Sequence, residues 1–401
     1  MAHGPSPAEL PPDEVIQEIL LRLPPHAAFF HRASLVCKLW RRLLLDPDFI
    51  HRFRARHCRA PPLLGFFRSD SRYLPAVEPP NGVAVERIHS SNNIRVLACR
   101  HGRVLILLTY SSGELQVEVD DPLAGYGVVF PGPTSPVLDF GCVVHGSLIC
   151  DHDDSRRGED HRCSWRRFFQ DVRGEDDGCS PRPCQVAVLL YGSGCIHASV
   201  SGDKHESWWR GLVSLSAPRD LFVSLKPGVL VRNAMYWLAS PPHSKIVVFH
   251  LDTSKLHLIE SLPVDSLGPY DYYRIVEAGD GELGMAAVRG SRLHLFALVT
   301  GSEGAARRWS EYRAVDLDTV RHLSPPVKAV EIIDEDANTV YLENTDGVFA
   351  LHLKTMEINK VLPSGVALGT MIAYRRLCIT GGSGRVRDNG ENEVAAQQQM
   401  G

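Results

Sequence analysis

Six thiol and imidazole side chains, Cys150, His152, His161, Cys163, Cys179 and Cys184, fall close together in the chain, and these are the groups that ligate zinc. Zinc sites bring ligands in close pairs, at C-x2-4-C or H-x3-5-H spacing, because one tight turn must aim both at a single ion. Cys179 and Cys184 alone approach that spacing and no second pair matches, so the group reads as incidental loop residues and no metal ligand is assigned. A Gly-x-Ser-x-Gly elbow, a phosphate-binding Gly-x4-Gly-Lys-Ser/Thr loop and a His-Glu-x-x-His helix are all missing. Gly125-Tyr126-Gly127 lacks the third glycine and the following helix of a dinucleotide site. The 18 histidines are scattered. Asp271-Tyr272-Tyr273 and Trp208-Trp209 are aromatic enough to line a recognition surface, but core packing is the better reading. No catalytic residue and no cofactor is nominated.

The elements that would position any site are of two kinds. From residue 96 onward the chain alternates short apolar runs with turn residues, the texture of an all-β domain. Strand candidates are Val104 to Leu108, Val143 to Cys150, Val186 to Leu190, Leu221 to Leu225, Met235 to Leu238, Ile246 to Leu251, Leu293 to Val299 and Val348 to Leu353. A polar-Gly-polar-apolar unit recurs around Gly102, Gly146, Gly290 and Gly347, with Arg232-Asn233 as a variant. Four strands in each period of roughly 45 to 57 residues read as propeller blades, about six of them. Residues 151–183 hold nine acidic and seven arginine residues and read as a loop inserted between blade strands. Residues 59–95 read as a Pro-rich connector, and residues 1–9 and 381–401 as flexible ends.

Residues 10–58 have the other texture. After Pro11 and Pro12, the carboxylates Asp13 and Glu14 suit the first turn of a helix, and Val15, Ile16, Ile19, Leu20 and Leu23 form its apolar face. Pro24 and Pro25 end it. A second helix covers His26 to Ala33. A third follows with Val36, Leu39, Trp40, Leu43 and Leu44 at i, i+3, i+4, i+7, i+8, stopped by Asp46-Pro47. Phe49, Ile50 and Phe53 continue as a short stripe. A trio this small has more apolar residues than it can bury alone.

The strings from Leu10 to Pro24, from Ala33 to Leu44 and from Asp46 to Phe49, in that order and spacing, closely resemble the F-box. That resemblance implies a module that docks a Skp-family linker and, through it, a cullin-based SCF ubiquitin ligase, by laying surplus apolar side chains into a partner's groove. The residues matching the family's contact positions are Leu10, Pro11, Ile16, Leu20, Leu23, Pro24, Leu35, Val36, Cys37, Trp40 and Leu44. Phe29 and Phe30 depart from the pattern, standing where smaller residues are usual. Residues 96–380 resemble the F-box-associated β-propeller domain of plant F-box proteins, through Val186-Ala187-Val188, Ile196 to Val200, Ser207-Trp208, Val231 to Trp237 and Val248 to Asp252. Kelch glycine pairs and WD dipeptides are missing.

The expectation is therefore a small all-α F-box followed by an all-β propeller-like domain. Its implied role is a non-catalytic adaptor presenting an unknown target protein for ubiquitination. The alternative is a propeller enzyme or small-ligand binder whose helices are a structural cap. A net charge of −4 speaks against a broadly basic nucleic-acid surface, although Arg52, Arg54, Arg56 and Arg59 crowd together as a solvated face or a nuclear signal. No apolar run reaches the roughly 18 residues of a membrane span. The ten cysteines lack the regularity of a disulfide framework. A soluble chain in the cytoplasm or nucleus is expected.

Overall fold

The computed structural model describes residues 11–23, 27–46, 48–49, 52–53, 56, 63–76, 85, 94–100, 102–110, 112, 114–122, 126–132, 143–149, 185–192, 194–201, 209–219, 221–224, 227–240, 245–259, 272–299, 307–319, 329–334, 338–366 and 371–375. Three helices come first, α1 (Asp13–Leu20), α2 (Ala27–Val36) and α3 (Lys38–Leu45). They enclose a core of Ile16, Leu20, Leu21, Phe30, Ala33, Leu43, Leu44, Phe49 and Phe53. Phe30 meets Phe53 edge to face, ring centroids 4.5 Å apart, a geometry the ring quadrupoles favour. That contact explains one departure from the F-box pattern, since Phe30 fills the centre of the trio.

Strands follow in sheets. β1 (Leu63–Arg68) pairs with β2 (Tyr73–Pro75); β3 (Ile94–Arg100), β4 (Arg103–Thr109), β5 (Leu115–Asp121) and β6 (Tyr126–Pro131) form the next sheet. Then come β7 (Val143–Ile149), β8 (Gln185–Gly192), β9 (Cys195–Val200) and β10 (Val213–Ser216). The fourth sheet contains β11 (Phe222–Val223), β12 (Val229–Val231), β13 (Ala234–Ser240), β14 (Ile246–His250) and β15 (Leu256–Ile259). β16 (Tyr272–Glu277), β17 (Leu283–Arg289), β18 (Arg292–Val299) and β19 (Arg308–Asp316) form the fifth, and β20 (Ala329–Asp334), β21 (Thr339–Asn344), β22 (Gly347–His352) and β23 (Ile358–Pro363) the sixth. The last strand, β24 (Met371–Arg375), returns to pair with β1. The innermost strands β24, β3, β7, β12, β16 and β20 neighbour one another in a closed circle. The body is thus a six-bladed β-propeller.

Among the described residues, each seam between blades holds its own apolar cluster. Strand side chains alternate faces, so consecutive residues of one strand serve consecutive seams. Phe66 enters the seam with β21 to β24, while Phe67 enters the seam with β3 and β4.

Within the stretch 59–95, expected as a connector, β1 and β2 therefore begin the propeller. Its Leu63-Leu64-Gly65-Phe66-Phe67 run is a strand paired on one side with β2 and on the other with β24 far along the chain, a pairing that local periodicity does not reveal. The repeat unit also needs correction. Gly146 stands inside β7 rather than at a turn, where a Cβ would meet Leu105 and Leu97 at 2.7 and 2.9 Å. The turn at Gly102 joins the first and second strands of its blade, whereas Gly290 and Asp346 join second and third strands, so the sequence spacings mix two hairpins. Gly347 does need glycine, at φ +142 with a Cβ position 2.3 Å from the Leu362 carbonyl. Gly347→Ala is expected to cost about 2 kcal/mol or more, from backbone strain and the enforced shift of β23, readable as a lowered denaturation midpoint.

Candidate docking surface and the propeller axis

α1 presents a wide apolar arc. Ile16 and Leu20 take its inner side and are buried, while Val15 and Ile19, one helical step away, stand 46% exposed each. α2 adds Phe29 at 41%, Leu35 at 57% and Val36 at 61%. Five large apolar side chains thus face solvent on helices whose interior is already filled.

The break in helix between α2 and α3 fixes the outward pose of Leu35 and Val36. Cys37 is extended, at φ −163 and ψ 169, and its Sγ accepts from the Trp40 amide at 3.5 Å as the N-cap of α3. Arg41 Nε donates to the Ser34 carbonyl at 3.2 Å, tying α3 back onto the end of α2. Val36 therefore closes α2 instead of joining the stripe of α3 as the sequence spacing implied, because the extended residue resets the helical phase. Around the trio, Arg42 pairs with Asp13 at 2.8 Å and Arg52 with Glu18. Both pairs are exposed and contribute about 0–1 kcal/mol each.

The eleven residues at F-box contact positions separate by burial. Ile16, Leu20 and Leu44 are core, at 2%, 0% and 0% exposure. Leu23 and Trp40 are half-buried against that core. Pro11, Leu35, Val36 and Cys37 are exposed, and Leu10 and Pro24 lie outside the described residues. Val15, Ile19 and Phe29 were not among the eleven, although the breadth of the α1 arc was a readable sign that one face could not serve the core alone. Leu44→Ala is expected to destabilise the helical trio by about 2–5 kcal/mol, read as loss of helical circular dichroism at a lower temperature.

On the propeller, the zinc candidates Cys150, His152, His161, Cys163, Cys179 and Cys184 lie outside the described residues, as does the insertion 151–183. Among the described residues no three His, Cys, Asp or Glu side chains converge as metal ligands. Cys37, Cys99 and Cys195 are not joined in disulfides. Tyr273 is core, and Trp209 packs on the seam between the second and third blades, its Nε1 donating to the Pro131 carbonyl at 2.7 Å.

Close to the axis, His145 on β7 is 3% exposed. Burial, aided by the Arg95 charge, lowers its pKa from 6.5 to about 3. The folded protein therefore holds this imidazole neutral while the unfolded chain protonates it near 6.5. Stability from this residue is present above pH 6.5 and is lost progressively as pH falls toward 3, by about 2 kcal/mol at pH 5. Urea unfolding at pH 7.5 and pH 5 checks this, with the acid loss smaller by that amount in His145→Gln.

A small three-helix unit ahead of a six-bladed propeller is the class of protein these features define. A family model described as "F-box domain" matches residues 12–52, the span of the three helices. Among curated proteins, none matches this sequence. Solved structures similar to this chain include a fungal six-bladed lectin from Aleuria aurantia, 12% identical over 75% of this chain and 86% of that one with a TM-score of 0.37. The SapL1 lectin in complex with alpha methyl fucoside is 11% identical over 76% and 91%, TM-score 0.38. The periplasmic gluconolactonase PpgL of Pseudomonas aeruginosa is 14% identical over 77% and 96%, TM-score 0.33. Similarity of this degree carries nothing about ligand or chemistry.

Proposed function

We propose that this chain is a substrate-recognition adaptor of an SCF-type ubiquitin ligase, its helices docking a Skp-family linker bound to cullin and its propeller holding a target protein. The observation that carries the reading is the exposed set Val15, Ile19, Phe29, Leu35 and Val36 on the segment that matches the F-box. Water-exposed apolar side chains of this size beside a filled core gain by entering a partner's groove, at about 25 cal/mol per Å² removed from water. In this role the chain performs no bond chemistry. It supplies proximity, raising the effective concentration of target lysines near a conjugating enzyme held elsewhere. A soluble location in cytoplasm or nucleus, and a protein target rather than nucleic acid or membrane, belong to the same proposal.

The test is co-expression of the tagged full chain with a Skp-family linker and cullin. Recovery of all three in one complex, together with higher yield of the chain when the linker is present, is expected. Recovery of the chain alone at unchanged yield contradicts the adaptor role.

A further inference from the structure

The inner strands carry charged chemistry that neither the helical surface nor ring closure requires. From β3, Arg95 Nη2 donates to the Val144 carbonyl of β7, and Arg100 Nη1 donates to the Leu148 carbonyl at 3.4 Å. These bonds staple adjacent blades, but for Arg95 a neutral carbonyl does not balance the guanidinium charge, and an uncompensated buried cation is costly. Arg95 Nε is buried and has no hydrogen-bond partner. Burial lowers its pKa, and no carboxylate among the described residues offsets that. Immediately beyond Val144 stands His145, whose Nε2 is likewise buried without a partner. Two nitrogen positions on neighbouring strands, one of them on a permanent cation, thus await an acceptor that the described residues do not supply. The guanidinium fork matches carboxylate and phosphate oxygens better than any other acceptor, and a neutral imidazole protonated at Nε2 adds a second donor.

We infer that the seam between β3 and β7 binds an oxyanion, a phosphate or carboxylate group, on Arg95 with His145 as the second donor. Arg95 is the part-exposed member of the pair and His145 is enclosed, so Arg95 makes the first contact. The site stands independently of linker docking, and its failure would leave the adaptor reading untouched.

The experiment titrates the full chain with sodium phosphate and, separately, sodium acetate, each against sodium chloride at matched ionic strength and pH 7.5. The readouts are thermal unfolding and the His145 imidazole resonances. A saturable rise in unfolding temperature with a shift of the His145 signals is expected, with at least tenfold weaker binding in Arg95→Gln and intermediate binding in Arg95→Lys. Response to phosphate alone assigns a phosphoryl ligand, to acetate alone a carboxylate, and to both a general oxyanion site. Absence of any saturable response in the wild type overturns the inference whether or not the variants fold. Equal affinity in wild type and Arg95→Gln overturns it as well.

Discussion

Phe66→Ala is expected to lower the stability of the propeller by about 3–5 kcal/mol, the range for removing a buried phenyl ring, and to open the ring at the seam where the two ends of its chain meet. Phe66 is wholly buried, sits edge to face on Tyr341 with centroids 5.2 Å apart, and packs with Val348, Leu362, Met371 and Ala373. Its own strand is held to the last strand by the register Phe66 to Ala373 and Phe67 to Ile372. A cavity here weakens both the contact between blades and the pairing that joins the chain's ends, whereas a cavity in an interior blade leaves a continuous chain on both sides. Phe222→Ala is the control, since Phe222 is 44% exposed and exposed positions change stability by about 0.5 kcal/mol or less. Urea unfolding with hydrogen exchange at β1 and β24 compares them. Equal midpoints for the two variants would show that this seam does not close the ring.

The second large effect is on association. Charging the α2 tip, Leu35→Asp with Val36→Asp, is expected to weaken linker binding by a hundredfold or more. Burying a Leu or Val side chain is worth about 1.5–3 kcal/mol, and each 1.4 kcal/mol is a factor of about ten in affinity. Both side chains lie more than half exposed, so the fold of the free chain should change little. Leu20 and Leu44 cannot serve this purpose, because they are core and their loss would unfold the module before it tested docking.

Much of this architecture was legible in the sequence where a signal is local. Val104 to Leu108, Val186 to Leu190 and Ile246 to Leu251 coincide with β4, β8 and β14, because strands buried on both faces are continuous apolar runs. Most of the outer strand β19 offers no apolar run, since Arg308 to Asp316 is polar and largely exposed and its strand form comes from pairing with β18. The place of β1 in the propeller was missed because, beyond the short strand β2, its other partner is about 300 residues away in the chain. At the helices, composition located the module, but burial alone separates Ile16 from Val15 and Leu44 from Leu35. The Arg95 and His145 pair had no sequence signal, as the two residues meet only when β3 and β7 become neighbours around the axis.

The central claim is that the exposed apolar tip of the three helices is a docking surface. Calorimetric titration of a purified Skp-family linker into the full chain and into the Leu35→Asp, Val36→Asp variant tests it most directly, with circular dichroism confirming equal folding. Saturable one-to-one binding to the wild type, lost in the variant, is the expected result. No binding to the wild type, or equal affinity for both proteins, would contradict the claim.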